Sequence, residues 1–404
     1  MTQLSLDSLP EIAPPGTAPD MDVHAYLKHL RGLAPLVRSP MGPLIALRRR
    51  HVDLLVSDAT RQLETETKLM QGISSGPIFD FIDNVMLMAN GDAHQRRRAP
   101  VARAFAFKLM DAMRPKAAAL AEELISSHLD SGEIDFIKEI AAQIPARLIA
   151  NILGIPASDL PIFMQWIEDS AAALGFIDLE QRARIEASLT AFNSYVEDLL
   201  AQRRASPRGD FLSDYVSAVT EAGNLSEAEI RCQIVGLILA GSDTTRGSLC
   251  VILAHLLAHP AQWAAFCADP DGLKKAVVEE GLRFEPIVSM IPRVALRELD
   301  IDGYLVPAGT IVAISILSCQ RDPEIYGDPD RFDIFRTDHP RWNLGFGAGA
   351  HRCLGEALAR AELEETLALI ARLAPRTRIV GPMPSLAPAA IRQIGPMRVD
   401  FGGQ

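Results

Sequence analysis

One cysteine stands on a loop rich in glycine near the C-terminal end of the chain. Residues 345–355 read GFGAGAHRCLG, and Cys353 comes just before a segment with a helical pattern. A thiolate is a strong electron donor and a good ligand for iron, and the free N–H groups at a helix start stabilise its negative charge. Backbone without bulky side chains, as at Gly347 and Gly349, lets a sulfur approach a flat macrocycle. Taken alone, the loop also fits a tight turn that holds a buried, inert cysteine.

A second group of polar residues interrupts a long apolar stretch at residues 240–245, AGSDTT. The hydroxyl of Thr244 can hydrogen-bond within a helix or towards a ligand and open a local kink. The carboxyl group of Asp243 can pass protons to such a ligand. The same residues also fit a plain polar break in a buried helix.

Two charged pairs have the spacing of neighbours on one helix face. Glu280 and Arg283 are three residues apart, so their side chains can pair, although such a pair is more often part of a solvated face. His94 and Arg98 are four residues apart in a basic run, HQRRR. Taken alone, His94 is typical of a surface histidine.

Together and in this order, these motifs resemble those of the cytochrome P450 family, over nearly the whole chain beyond about residue 50. The glycine-rich loop resembles the haem-binding signature, and residues 240–245 resemble the oxygen-activation motif. The resemblance implies that Cys353 is the axial ligand of the haem iron and that Glu280, Arg283 and Arg336 support the cysteine loop. It implies haem contacts for this set: His94, Arg98, Gly241, Arg293, Phe346, Gly347, His351, Cys353 and Gly355. Pro100 departs from the expected continuous helix, which either starts near residue 99 or kinks.

The activity implied by the resemblance is that of a haem-thiolate monooxygenase, an oxidoreductase that hydroxylates a C–H bond with one oxygen atom from O2. The cofactor would be haem b, and the substrate a small to medium hydrophobic organic molecule. Thr244 would hold the bound oxygen and its protons, and Asp243 would deliver protons. The alternatives are a peroxide-driven peroxygenase and a non-catalytic haem-thiolate sensor or carrier, and the acid–alcohol pair argues against both.

Substrate contacts in the family come from separated segments, and here those segments are mostly apolar, as suits a hydrophobic substrate. The candidates are Phe79, Phe81, Val85, Met86, Met88, Phe176, Leu237, Ala240, Val288, Ser289, Met290, Ile291, Arg392 and Ile394. For any single one of them, a place in the core is the alternative. Arg392 and Ser289 are the polar candidates that would anchor a carboxylate or a hydroxyl.

Electrons must come from another protein, because no flavin or nicotinamide domain is visible in 404 residues. The resemblance implies a ferredoxin with its NAD(P)H-dependent ferredoxin reductase. Ferredoxins are acidic, so a basic docking face is expected. Its candidates are Arg96, Arg97, Arg103, Arg352 and Arg360, with Arg98 and Lys108 in the same basic run. The alternative is a helix face with solvated arginines.

The elements that must position these residues are mainly helices. Apolar residues at three- and four-residue spacing predict helices over most of residues 51–285. Ser226 and Glu229 form a capping box, which predicts a helix of about 30 residues that ends at His259-Pro260. Alternation predicts strands over 293–318, a strand pair near 44–47 and further strands after 377. A helix is expected from Cys353 to about Leu373, with Leu354, Ala357, Leu358 and Ala361 on its buried stripe. The expected fold is therefore mainly α with a small β part, in a single domain over 1–404, with residues 1–20 as an irregular arm.

Composition fits an enzyme of the cytoplasm. The net charge of −11 argues against nucleic acid as the main partner. The five cysteines include no CxxC pair and their number is odd, so neither a zinc site nor a disulfide framework is expected. We see neither a signal peptide nor an apolar run long enough to span a membrane, and we expect a monomer that is not bound to a membrane.

Overall fold

The computed structural model describes residues 4–13, 22–105 and 107–402, without the side chains of residues 107–111. Over the described residues, the helices are α1 (Val23–Leu33), α2 (Val52–Leu55), α3 (Glu66–Met70), α4 (Pro77–Asn84), α5 (Gly91–Ala104), α6 (Phe107–Ser126), α7 (Gln143–Leu153), α8 (Leu160–Ser170), α9 (Arg182–Ala205), α10 (Phe211–Ala222), α11 (Glu227–Ala258), α12 (Pro260–Ala268), α13 (Pro270–Phe284), α14 (Ile316–Cys319) and α15 (Glu356–Leu373). The strands are β1 (Leu36–Arg38), β2 (Leu44–Ala46), β3 (Thr60–Gln62), β4 (Glu133–Asp135), β5 (Met290–Ala295), β6 (Leu299–Ile301), β7 (Tyr304–Val306), β8 (Ile311–Ser315), β9 (Arg378–Val380) and β10 (Arg398–Asp400). Helix covers 58% of the chain and strand 11%, which confirms a mainly α fold with a small β part.

The chain divides into two compact units. The first unit holds the described residues up to Gln62, Gly247–Cys353 and Ile370–Gly402. Its main sheet has the strand order β1-β2-β8-β5-β3, in which only β2 and β8 run parallel. β6 pairs with β7 and β9 pairs with β10, both antiparallel. One face of the main sheet packs into an apolar core that includes Leu36, Ile314 and Leu344.

The second unit holds Leu63–Arg246 and Leu354–Leu369 and is almost wholly helical. Its core joins α4, α8, α9, α10 and the first part of α11, with Phe81, Phe163, Phe192 and Ile238 almost fully buried. The start of α15 joins the same core through Leu358. This unit therefore provides a rigid helical frame for the side chains that α5 and α11 carry.

The long helix α11 begins and ends where the sequence predicts. The Oγ of Ser226 accepts from the Glu229 backbone N at 3.2 Å, and the Ser226 N donates to Glu229 Oε2 at 2.9 Å, which is the expected capping box. The helix ends at Ala258, just before His259-Pro260. It is long and apolar enough to cross a membrane, but 72% of its most apolar window is buried inside the structure, as in the core helix of a folded protein.

The other expectations for the elements are met in most places. The strand pair near residue 44 is confirmed as β1 and β2, and the tail strands as β9 and β10. The strand expected to run to 318 is wrong beyond Ser315, because its Oγ caps a new helix, α14, by accepting from the Ser318 N at 3.2 Å. Ala357 is exposed and so is not part of the buried stripe of α15.

In the N-terminal arm, residues 4–13 contain only one short helical turn, Leu6–Ser8, and two isolated bridges. Residues 1–3 and 14–20 of that arm lie outside the described residues.

Candidate functional site

The cysteine loop, residues 345–355, is held by its own backbone in the first unit. The Cys353 N donates to the Phe346 carbonyl at 2.8 Å, and the Arg352 N donates to the Gly349 carbonyl at 3.1 Å. Gly347 and Gly349 have φ angles of +73° and +67°, in the left-handed region that favours glycine. A Cβ on Gly349 would lie 2.9 Å from the Val56 carbonyl oxygen, so no side chain fits there. The loop presents Cys353 as an exposed residue.

The other cysteines are poor candidates for a ligand. Cys232, Cys250 and Cys319 are buried, and Cys267 is half-buried. Burial raises the pKa of Cys232 and Cys267 to about 11 and that of Cys319 to about 12, so these thiols stay protonated near neutral pH. A thiolate ligand is therefore expected at Cys353 rather than at any of these.

A buried charged cluster lies on α13 and on the chain that leads to the loop. Glu280 and Arg283 are both fully buried, and two hydrogen bonds of 2.6 and 2.8 Å join their side chains. The Nε of Arg336 lies 3.3 Å from Glu280 Oε2, so the three residues meet in one cluster. Arg283 also donates to the carbonyls of Gln320 at 3.1 Å, Pro329 at 2.8 Å and Arg331 at 3.0 Å. The cluster thus ties several segments of the first unit together and has a structural role.

Asn343 links this support to the cysteine loop, and no motif in the sequence points to it. Its Oδ1 accepts from the Gly345 N at 2.9 Å and from Gln320 Nε2 at 2.7 Å. Its Nδ2 donates to Glu279 Oε1 at 2.9 Å. Asn343 is 3% exposed, so these bonds fix the start of the loop against α13. Only the folded contacts show this role, because asparagine in a loop is common.

Arg293 is a buried cation on β5 in the first unit. It is 3% exposed, and burial lowers the pKa of its guanidinium to about 10. Its Nη1 donates to the side-chain oxygen of Gln62 and, at 3.1 Å, to the Pro292 carbonyl. No Asp or Glu carboxylate pairs with it over the part of the chain that the structure describes. A buried arginine without a carboxylate is costly, and an anionic group of a cofactor would compensate it.

The middle of α11 lies in the second unit and differs from the rest of the helix. Ala240 and Gly241 are exposed, whereas the residues before them, from 232 to 239, are buried. A Cβ placed on Gly241 would meet nothing within 4 Å. The Thr244 Oγ1 donates to the Ala240 carbonyl at 3.0 Å, and Asp243 pairs with Arg246 at 2.7 Å. The helix therefore has open space beside small residues, next to an acid and an alcohol.

His94 and Arg98 also lie in the second unit, one turn apart on α5. The helix runs without a break over Gly91–Ala104 with Pro100 inside it, so the alternative that it starts near residue 99 is wrong. The proline lacks the N–H that would bond to the preceding turn, but the residues before it keep helical structure. His94 is 4% exposed, and burial together with the Arg98 charge lowers the pKa of its imidazole.

The predicted substrate residues fall into two groups, one in each unit. In the second unit, Phe81, Val85 and Leu237 are buried, and a Cβ on Gly236 would lie 2.5 Å from Val85 Cγ2. These three residues therefore belong to the core. The half-buried or exposed members of that unit are Phe79, Met86, Met88, Phe176 and Ala240.

In the first unit, the predicted substrate residues lie on two paired segments. Val288 forms a bridge with Ile391, and Val288, Met290, Ile291 and Ile394 are half-buried. A Cβ on Gly347 would lie 3.8 Å from Ile291 Cδ1, so Ile291 lies beside the cysteine loop. The polar candidates are engaged inside the unit. Ser289 Oγ donates to the Ala389 carbonyl at 2.6 Å, and Arg392 pairs with the buried carboxylate of Glu285.

The arginines predicted to dock a redox partner differ in their bonds. Arg96 and Arg97 both bind Glu229, and Arg97 Nε lies 2.9 Å from Glu229 Oε1. These cations hold the pKa of the Glu229 carboxyl at about 2, although burial opposes this, so they mainly join α5 to α11. Arg103 forms an exposed pair with Glu221 at 2.6 Å, and Arg360 pairs with Glu356 at 3.1 Å.

Arg352 is bound differently from the other predicted docking residues. Its guanidinium lies 4.5 Å from the ring centroid of Trp342, which is 53% exposed and also stacks with Arg341 at 4.8 Å. The side chain of Lys108 lies outside the described residues. Arg341, Trp342 and Arg352 therefore form a basic cluster beside the cysteine loop, and Arg352 Nη1 also donates to the Gly347 carbonyl at 3.1 Å.

The residues of each unit fit a haem. In the first unit, an exposed cysteine stands on a glycine-rich loop, and a buried arginine lacks a carboxylate partner among the described residues. In the second unit, small exposed residues on α11 leave space beside Asp243 and Thr244. A thiolate suits the iron, and cations suit the two carboxylates that a haem carries.

Comparison with known proteins identifies the family. The sequence model of the family described as "Cytochrome P450" matches residues 171–265 and 273–372. The chain is 41% identical to the plant-inducible cytochrome P450-pinF1 of Rhizobium radiobacter, over 91% of this chain and 87% of that protein. It is 30% identical to the erythromycin C-12 hydroxylase of Saccharopolyspora erythraea, over 89% of this chain and 90% of that protein.

A solved structure agrees with these relatives. The structure of the myxobacterial cytochrome P450 CYP267B1 in complex with myristic acid has a TM-score of 0.82 and 30% sequence identity to this chain. The match covers 95% of this chain and 97% of that one. The fold and the relatives thus agree with the motifs around Cys353, and the chain belongs to the cytochrome P450 family of haem monooxygenases.

Proposed function

We propose that the chain, acting as one P450 domain, uses haem b and O2 to hydroxylate a small to medium hydrophobic molecule. The observation that carries the proposal is the exposed Cys353 on a backbone-held loop, in a chain that also has Thr244 and Asp243 at an exposed point of α11. When bound, haem supplies the iron that activates O2, and a thiolate ligand favours cleavage of the O–O bond. The hydroxylase among the relatives supports the reaction class.

The residues of the chain would hold the cofactor by charge and by sulfur. Cys353 would provide the thiolate ligand, with Phe346, Gly347 and Gly355 around it. Arg293 and His351 from the first unit, and His94 and Arg98 from the second, would bind the haem carboxylates. The buried guanidinium of Arg293 supports this assignment, because it lacks a carboxylate partner among the described residues.

Proton supply would depend on Asp243 and Thr244. The Thr244 hydroxyl now donates to the Ala240 carbonyl, and it would turn to donate to a ligand in the space beside Gly241. The Asp243 carboxylate lies 2.7 Å from Arg246, so it must exchange this partner to take up and release a proton.

The electrons would come from a ferredoxin and its NAD(P)H-dependent reductase, in the cytoplasm. Because Arg96 and Arg97 are bound to Glu229, the docking face that we propose is centred on Arg341, Trp342 and Arg352. An exposed tryptophan between two guanidiniums suits an acidic partner, because aromatic and arginine side chains often dominate interfaces. We propose a monomer as the acting form.

The test is turnover under 18O2 with reductant, ferredoxin and reductase, compared with turnover driven by peroxide. We expect one labelled oxygen atom in the product and substrate-dependent consumption of reductant. In the Thr244→Ala variant, product formed per O2 consumed should fall about tenfold or more, since misplaced protons divert reduced oxygen. Thr220→Ala is the matched control, because Thr220 makes the same helix bond, to Val216, at 2.7 Å on α10.

Three results would contradict the proposal. Unlabelled product with full activity on peroxide would indicate a peroxygenase. Binding without substrate-dependent consumption of reductant would indicate a carrier or sensor. Equal losses in the Thr244 and Thr220 variants would remove Thr244 from proton supply.

A further inference from the structure

Lys68 on α3 is a buried cation that no expectation from the sequence included. Lys68 is 1% exposed, and burial lowers the pKa of its ammonium to about 8. The Nζ donates to the Gly175 carbonyl, and no Asp or Glu carboxylate pairs with it among the residues that the structure describes. Lysine is almost never buried without a charged partner, because removing an ammonium from water is costly. The fold therefore buries the Lys68 ammonium without a carboxylate among the described residues that would neutralise its charge.

The acceptor of this ammonium lies on a short stretch of chain, residues 175–177. Residues 175–177 are bonded to α3 and to Gln71, which follows it, at three points, of which Lys68 on α3 provides one. Gln71 provides the other two, with its Nε2 donating to the Ile177 carbonyl at 2.8 Å and its Oε1 accepting from the Ile177 N at 3.2 Å. A Cβ on Gly175 would meet nothing within 4 Å, so there is open space beside the Cα of the residue whose carbonyl Lys68 binds.

Exposed apolar side chains flank Lys68 and Gly175 along the chain, with the exposed acids Asp178 and Glu180 on the second of these segments. On α3, Leu69 is 50% and Met70 is 56% exposed; on the facing segment, Phe176 is 58% and Leu179 is 56% exposed. Single exposed apolar residues are ordinary, but four on two bonded segments form a patch that favours an apolar ligand. A cation beneath an apolar surface suits a molecule with an anionic head and a hydrocarbon body. Phe176, one of the expected substrate contacts, belongs to the same stretch of chain.

We propose that Lys68 binds the carboxylate of a hydrophobic monocarboxylic acid, which is the substrate class of the enzyme. This inference rests on the proposed function. The carboxylate replaces the Gly175 carbonyl as the acceptor, and the hydrocarbon part covers the apolar residues of α3 and of the 175–179 segment. A hydrogen bond between two charged groups is about twice as strong as one to a neutral carbonyl, so the exchange favours the acid. Lys68 is thus a specificity-determining residue and takes no part in the oxidation itself.

The test is calorimetric titration of the holoenzyme at about pH 7 with octanoate, dodecanoate and hexadecanoate, each beside its neutral amide. Calorimetry reports binding whether or not the substrate is oxidised. We expect at least one acid to bind about tenfold or more tightly than its amide, as for other hydrogen bonds to charged groups. Lys68→Met should lose this preference and Lys68→Arg should keep most of it. Lys116→Met is the matched control, because Lys116 is exposed on α6 and bonds only to a neutral amide oxygen, Asn151 Oδ1, at 2.8 Å.

Several results would overturn the assignment. The wild type could bind every amide as tightly as its acid. The Lys68→Met variant could retain the preference for the acid, or the Lys116→Met variant could lose that preference to the same extent. Lys68→Gln, which keeps a donor for Gly175, replaces the methionine variant if that protein does not fold. Failure of the proposed function would look different. Reduced wild-type protein would then lack the red-shifted absorption band with carbon monoxide, whatever the acids do in the calorimeter.

Discussion

At the scale of single residues, Glu362 on α15 is a second buried ionisable group with no compensating charge. It is 4% exposed, and its Oε2 has no hydrogen-bond partner over the described residues. The Oγ1 of Thr366, one turn further along the helix, is buried in the same way. Burial raises the pKa of the Glu362 carboxyl to about 8. The helix that follows the cysteine loop thus carries a carboxylic acid that is mostly neutral at pH 7.

Glu362→Gln should remove a pH dependence of stability. The folded pKa of about 8 lies above the ordinary value of 4.5, so folding takes up a proton between these two pH values. The unfolding free energy of the wild type therefore contains a contribution that is complete below about pH 4.5 and is lost as the pH rises to about 8. The glutamine variant lacks this loss and should be more stable than the wild type above about pH 8, by about 5 kcal/mol for a rise of this size at about 1.36 kcal/mol per pKa unit.

Urea unfolding at about pH 5, 7 and 8.5 measures this difference. Glu122→Gln on α6 is the control, because Glu122 is exposed, and its curves should follow the wild type at every pH. A difference between the Glu362 variant and the wild type that does not change with pH would contradict the account.

Sequence reasoning did not find Lys68, Glu362 or Asn343, and the reason is physical. Lysine and glutamate on helices are usually solvated, and the sequences around Lys68 and Glu362 are rich in polar residues. Their burial comes from chain that is distant in the sequence, as with the carbonyl of Gly175 above Lys68. Cys353, by contrast, was found, because glycines and a cysteine on one loop leave a local pattern.

At the scale of elements, the cysteine loop depends on close packing as well as on free backbone angles. The sequence predicted small residues so that a sulfur can approach a macrocycle. The structure adds a second reason at Gly349, where the Val56 carbonyl leaves no room for a Cβ. Gly347 has no such contact, since its nearest neighbours would lie 3.8 Å away, and only its φ of +73° favours glycine.

Gly349→Ala should destabilise the loop and weaken cofactor binding. A Cβ 2.9 Å from the Val56 oxygen, on a residue with φ of +67°, combines a clash with backbone strain of about 1–3 kcal/mol. Gly381→Ala is the matched control, because Gly381 has a φ of +92° but nothing within 4 Å of an added Cβ. Haem content per protein, measured by absorbance, should fall in the first variant and stay at the wild-type level in the second. Equal haem content in both variants would show that the contact with Val56 is unimportant.

Elements with a local signal were predicted well, and those shaped by competing signals were not. The capping box at Ser226 sets the start of α11, and His259-Pro260 sets its end. The alternation of apolar and polar residues after Met290 predicts strands where the structure has the helix α14. The N-cap of α14, Ser315, is also the last residue of β8. Pro100 is a helix breaker by its chemistry, but α5 continues through it. Packing of α5 against α10 in the second unit outweighs the lost hydrogen bond there.

At the scale of the whole molecule, four short motifs between residues 94 and 355 indicated the family, and the relatives confirm it. The motifs lie in both units, so each unit on its own holds only part of the set. The acidic net charge of −11 gave no indication of a docking face, since the relevant arginines are few and several of them bind internal carboxylates. The bonds of Arg96 and Arg97 to Glu229 were beyond sequence reasoning because 130 or more residues separate the partners.

The proposed role of Cys353 is to bind the iron of a haem through its thiolate. Its most direct test is the absorption spectrum of the reduced protein under carbon monoxide, for the wild type and for Cys353→Ser, with Cys267→Ser as a control at a half-buried cysteine. A thiolate opposite carbon monoxide shifts the main haem band strongly to the red, so we expect the shifted band in the wild type and in the control and its loss in Cys353→Ser. A wild type without the shifted band, or a Cys353→Ser protein with the same spectrum as the wild type, would contradict the account.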